Sequence, residues 1–139
     1  TEIYTLSLHD ALPISVFTRG IQRLHIPVAH GEGNFFAHGD VLARIEQDGL
    51  VVMRYAKPDG APAGGEFPFN PNGSMNDIAS ICDRTGRIMG MMPHPERGMF
   101  FTQRDDWPLV RERLVRDGKE IEEESDGFAL FRNAVDYFR

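Results

Sequence analysis

Apolar residues in this chain come in short runs, each stopped by glycine, proline or aspartate, and that punctuation limits what the chain can build. Leu24 to Ala29 ends at His30-Gly31-Glu32-Gly33, and Leu50 to Tyr55 gives way to Lys57 to Asn72, which is rich in Pro and Gly and has no period. Ile78 to Cys82 and Arg87 to Met92 flank Asp83-Arg84-Thr85-Gly86. Such runs predict short strands, the last two joined as a hairpin with turn chemistry between them, while Lys57 to Asn72 predicts a loop. Three stretches carry helical spacing instead. Val41, Leu42 and Ile45 fall on one face before a stop at Gly49, and Trp107, Val110 and Leu114 on another, with Asp106 as N-cap and Pro108 in the first turn. The last has Ser125 as cap and Phe128, Phe131, Val135 and Phe138 as its predicted core stripe. Strands followed by helices predict an α/β or α+β domain. Its strands are edge or hairpin elements with a thin core, as expected of a piece whose central parallel strands lie upstream.

The first fourteen residues, TEIYTLSLHDALPI, have no usable period and no initiating Met. They resemble a translation of a common short-read sequencing adapter along their whole length. Residues 1–14 are therefore expected to be an adapter-derived artefact outside the fold, with His9 and Asp10 meaningless, and residues 15–139 the biological domain.

With 139 residues the chain has length for one domain, and 41% hydrophobic and 26% charged residues are ordinary for a globular protein. No apolar run is long enough to span a bilayer, so no membrane partner is expected. A net charge of −6 argues against nucleic acid, which needs a basic face. The run Lys119 to Glu124 is expected to be solvated surface. One Cys excludes a disulfide framework and fits a reducing cytoplasm.

The chemistry centres on His94-Pro95-Glu96 at the end of an apolar run. Histidine can take and return a proton near neutrality, and a carboxylate held on its other ring nitrogen fixes the tautomer and stabilises the imidazolium. The proline between them restricts the backbone. Gly90-Met91-Met92-Pro93-His94-Pro95-Glu96-Arg97 resembles the closing signature of the glutaminase of phosphoribosylformylglycinamidine synthase, a class I glutamine amidotransferase. Ile26 to Phe35, which includes Ala29-His30-Gly31-Glu32-Gly33, resembles a second block of that family. Asn70-Pro71-Asn72-Gly73-Ser74 with Asp77-Ile78-Ala79 resembles a third, and Asp126-Gly127 also matches. The blocks lie in the family's order from Val16 to Arg139.

That resemblance implies the C-terminal part of a flavodoxin-like amidotransferase domain, with antiparallel hairpin strands and terminal helices. It implies His94 as general base and acid, Glu96 as its orienting partner, and a substrate wall at His30, Gly31, Glu32 and Gly33. Arg97 is a further candidate for substrate contact. The substrate would be glutamine, attacked by a Cys thiolate to give a thioester and ammonia. Ammonia would serve a synthetase subunit or domain using ATP and Mg, with no cofactor or metal in this domain. The nucleophile of this family sits on a Gly-x-Cys-x-Gly elbow, which is absent here. Cys82, between Ile81 and Asp83, reads as a small buried hydrophobe, so the chain as written is expected to be inactive. The alternatives are an amidotransferase serving another synthetase, a non-catalytic binding module of the same descent, or a metal site on His30, Glu32, His38 and His94. The His30 to His38 spacing matches no known metal motif. Asn72-Gly73-Ser74 is formally a glycosylation sequon but reads better as a turn, and His25 reads as structural.

Overall fold

In the computed structural model, which describes residues 3–7 and 15–139, the apolar runs become strands β2 (Arg23–Pro27), β3 (Val51–Ala56), β4 (Ile78–Cys82) and β5 (Met89–Met91). Strand β1 (Ile3–Ser7) joins them in one sheet of order β2-β1-β3-β4-β5, with every pairing antiparallel. The helices are α1 (Gly39–Gln47), α2 (Trp107–Arg116) and α3 (Asp126–Phe138). The β4–β5 turn closes as expected, with the Asp83 N–H donating to the Ile88 carbonyl and the Gly86 N–H to the Asp83 carbonyl. Gly49 stops α1 with φ of +64°, where an L side chain would be strained.

Five residues ahead of Ser15 lie in the sheet as β1. It runs antiparallel to β2 from Ile3 opposite Pro27 to Ser7 opposite Arg23, and to β3 from Thr5 opposite Ala56 to Ser7 opposite Arg54. Leu6 is fully buried in the core with Leu24, Ile26, Met53, Tyr55 and Leu130. A strand slot is filled through backbone hydrogen bonds, which any extended residues can make, plus one apolar side chain on the core face. His9 and Asp10 lie outside the described residues.

Of the stripe expected to bury α3, Phe128 is partly buried near Phe100 and the rest faces outward. Phe131, Val135 and Phe138 are exposed, Phe138 by 68%, while Gly127 and Leu130 face the core. Rotation of the helix is set by two other contacts. Gly127 lies against the backbone of Pro95 and Gly98, and the Asn133 amide donates to the Phe17 and Arg19 carbonyls at 2.8 Å each. Two predicted caps also act otherwise. Asp106 precedes α2 but its carboxylate is held by the Arg104 guanidinium at 2.9 and 3.0 Å, and Ser125 makes no side-chain cap bond to α3. The acidic run Lys119 to Glu124 is exposed, as read.

The Pro/Gly loop after β3 is held by one carboxylate. Asp77, buried at the start of β4, accepts from the Gly64 and Gly65 N–H groups at 2.7 and 2.8 Å and from the Asn70 amide at 2.9 Å. Glycines at φ of +66° and +73° let both N–H groups turn toward it. Asp77→Ala strands these donors and is expected to cost about 3 kcal/mol, since bonds to a charged acceptor are worth more than neutral ones. Urea unfolding of the variant beside the wild type measures it.

Candidate active site

Strand β5 delivers Met92 and Pro93 to the sheet edge, where the Met92 N–H donates to the Ala79 carbonyl, and the chain then leaves through a 3-10 turn, Pro95–Gly98. Pro95 opens that turn with its fixed φ and missing N–H, as suits a first helical position. His94 and Glu96 emerge on the same side, and His94 Nδ1 meets Glu96 Oε1 at 2.8 Å. Both side chains are about half exposed, 51% and 54%. The Glu96 carboxyl is held below its usual range, chiefly by a hydrogen bond from its own backbone N–H, with the His94 bond and the charges of His94 and Arg97 adding to it. An ionised Glu96 accepts from Nδ1–H, which leaves Nε2 as the nitrogen free to exchange a proton.

The second and third sequence blocks close on each other beside this pair. The Phe35 N–H donates to Ser74 Oγ at 3.0 Å, the Met75 N–H to the Phe35 carbonyl at 3.0 Å, and the Asn34 amide to the Asn72 carbonyl at 2.9 Å. The Asn72 amide nitrogen reaches the Gly31 carbonyl at 2.5 Å, the Gly33 carbonyl at 2.9 Å and His30 Nδ1 at 3.1 Å. His30 Nε2 lies 3.0 Å from the Tyr55 hydroxyl of β3. A side chain at Gly33 would put its Cβ 2.7 Å from Met92 Cε, so this turn packs directly on the residue two before His94. Desolvation lowers the pKa of His30 most, against a raising bond to Gly33, and the His94 charge lowers it further.

Of the candidate wall residues, His30, Gly31 and Gly33 are thus brought to the dyad's side of the sheet, while Glu32 and Arg97 are exposed at its rim. Asn72 and Tyr55 were not predicted. Asn72 lay in a recognised block but read as a turn, and Tyr55 as an ordinary strand residue. The proposed metal set is not assembled: the His30 ring is engaged by Asn72 and Tyr55, and His38 stacks edge-on against Phe36. Among the described residues no three His, Cys, Asp or Glu side chains cluster as metal ligands. Cys82 is buried in β4, and burial pushes its thiol pKa up, as does the charge of Asp83. That is the opposite of what a nucleophile needs.

The loop is anchored from behind by α3. A Cβ on Gly127 would stand 2.1 Å from the Pro95 carbonyl oxygen and 2.8 Å from that of Gly98, and a Cβ on Gly98 would stand 3.3 Å from Pro27 Cδ. One residue earlier, Asp126 Oδ2 accepts from the His25 N–H at 2.7 Å and lies 3.1 Å from His25 Nδ1. The structural reading of His25 holds, and its partner explains the Asp126-Gly127 block. Burial pushes the Asp126 carboxyl up, but the two bonds from His25 and the charges of His25 and Arg104 leave it below its usual range.

Two predictions follow from this anchor. Gly127→Ala must displace the His94 loop, with an expected loss of about 3 kcal/mol and shifted amide resonances from Pro95 to Gly98 in a heteronuclear NMR map. The depressed Asp126 carboxyl contributes stability that is present above the carboxyl's unfolded pKa and is lost as pH falls through its lower folded value. Asp126→Asn should therefore flatten the acid side of a melting-temperature profile.

A family model for CobB/CobQ-like glutamine amidotransferase domains matches residues 4–138. Among curated relatives, the phosphoribosylformylglycinamidine synthase subunit PurQ of Methanococcus maripaludis is 43% identical over 126 residues, which is 90% of this chain and 46% of that protein. The same subunit of Thermus thermophilus is 50% identical over 84 residues, 60% of this chain and 34% of its own length. The chain spans about half the length of the curated relatives it matches. A solved structure titled PurLQS from Thermotoga maritima covers 99% of this chain and 47% of its own, with a TM-score of 0.57 and 24% identity, and supports the fold alone. With its blocks folded into one site and the family model matching nearly end to end, this chain belongs to the CobB/CobQ-like glutamine amidotransferase domain family.

Proposed function

We propose that the parent of this chain is the glutaminase subunit or domain of a phosphoribosylformylglycinamidine synthase, releasing ammonia from glutamine for de novo purine biosynthesis. The observation that carries this is His94 held on Glu96 at 2.8 Å, beside the wall built from the other family blocks. The glutamine amidotransferase family and the phosphoribosylformylglycinamidine synthase names of the relatives support this reading.

In this reading His94 Nε2 takes the proton of a Cys thiol contributed by residues outside this chain. The thiolate adds to the glutamine carboxamide carbon, His94 returns the proton to the departing nitrogen, and ammonia leaves a thioester. Water then gives a proton to His94 and its oxygen to the acyl carbon, and thiolate leaves glutamate behind. Glu96 keeps Nδ1–H bonded and stabilises each imidazolium. No metal or cofactor enters these steps. ATP and Mg belong to the synthetase partner, and the setting is cytoplasmic. No helix among the described residues is long and apolar enough to cross a membrane.

Residues 1–14 are, on this reading, adapter-derived, and Ile3–Ser7 among them stand in the slot of a strand of the parent. The chain as written holds the proton-transfer half of the machinery and is inactive alone.

The test uses the parent with its upstream half restored. His94→Ala is expected to lower glutamate release at least 100-fold, as loss of a general base does. Cys82→Ser is expected to leave the rate within twofold, because Cys82 is a buried strand residue. A parent that loses its glutaminase with Cys82→Ser, or keeps it with His94→Ala, would overturn the assignment.

A further inference from the structure

We propose that His30 is a positioning residue of this site, a neutral imidazole locked as its Nε2–H tautomer between the Asn72 amide and the Tyr55 hydroxyl. The inference rests on the glutaminase reading for its purpose but not for its geometry.

The surroundings of Asn72 fix which end of its amide is nitrogen. The atom assigned as Nδ2 faces two backbone carbonyls, Gly31 at 2.5 Å and Gly33 at 2.9 Å. Carbonyl oxygens only accept, so this end must be the NH₂ group; the reverse placement would set three oxygens against one another. The same NH₂ lies 3.1 Å from His30 Nδ1. A protonated Nδ1 would oppose donor to donor, so Nδ1 carries no hydrogen and the ring hydrogen is on Nε2. From there it donates to the Tyr55 oxygen, 3.0 Å away. Three acceptors share two amide hydrogens, and each contact fixes the same orientation.

Burial and charge around the ring favour its neutral form, against the Gly33 backbone bond, which favours the protonated one. Burial lowers the His30 pKa most, and the charge of His94, on the loop after β5, lowers it further. Glu32, in the same turn, is exposed. A His30 that stayed neutral would add no positive charge beside His94 while His94 holds a proton. Its bonds would also keep the glycine turn seated on Met92. This gives the Asn-Pro-Asn-Gly-Ser block a chemical role: Asn72 sets the protonation of a residue 42 positions earlier.

The test reads the ring directly, by nitrogen-15 NMR of histidine-labelled chain at pH 7 and through an acid titration. The wild type is expected to show His30 with Nε2 protonated and Nδ1 bare, and to take its second proton only below the ordinary histidine range. Asn72→Asp replaces the donor by an acceptor of the same shape. It should move the hydrogen to Nδ1 and raise His30 proton affinity tenfold or more. Tyr55→Phe leaves the Asn72 contact in place and should keep the Nε2–H tautomer, and it carries the test if the Asp variant does not fold. A wild-type ring protonated on Nδ1, an Asn72→Asp ring that keeps the wild-type pattern, or a tautomer reversed by Tyr55→Phe would each overturn the proposal. Because the readout is the ring itself, these outcomes stand apart from whether the parent hydrolyses glutamine.

Discussion

The approach of Gly127 to the His-Pro-Glu turn is the contact on which the placement of His94 and Glu96 depends. Gly127, in the first turn of α3, lies where any side chain would run into the carbonyls of Pro95 and Gly98. Gly98 in turn packs on Pro27 of β2. Two side-chain-free positions thus stack a helix, the His-Pro-Glu turn and a strand, at a distance a methyl group would forbid at Gly127 and would crowd at Gly98. Asp126 locks the stack with two bonds to His25, so strand, turn and helix hold one another in register. His94 and Glu96, half exposed and tied mainly to each other, owe their place to this backbone scaffold rather than to packing of their own side chains.

A second constraint acts from the opposite side. Asn72 gathers two carbonyls and one imidazole with a single amide, and Met92 fills the space a side chain at Gly33 would take. The dyad's approach is therefore bounded by polar groups whose hydrogen bonds are already assigned. Such groups need little reorganisation when charge develops nearby, which is what favours proton transfer at a fixed histidine. The thiol of Cys82 lies buried in β4, with its pKa pushed up. Acid–base chemistry and the sulfur of this chain are thus physically separate matters.

The sequence carried the strands, the hairpin, the helices and the His94–Glu96 pair, because each rests on local pattern or on short-range spacing. It misled where a long-range contact outweighed local pattern. Phe131, Val135 and Phe138 make an apolar stripe on α3, yet the helix turns Gly127 and Leu130 inward, with Gly127 against the backbone of Pro95 and Gly98. Asp106 looks like a cap until Arg104 claims it with two bonds. Tyr55 and Asn72 carry no signal on their own, since what matters is a ring nitrogen that folding brings between them. Residues 3–7, which read as adapter-derived, lie in the sheet between β2 and β3.

The central claim is that these residues are the proton-transfer half of a cysteine glutaminase whose nucleophile is encoded ahead of Ser15. A long sequencing read of the natural DNA upstream of the Ser15 codon tests it most directly. The account predicts an open frame continuing into a strand and a Gly-x-Cys-x-Gly elbow. A start codon close to Ser15, with no cysteine before it, would contradict the account.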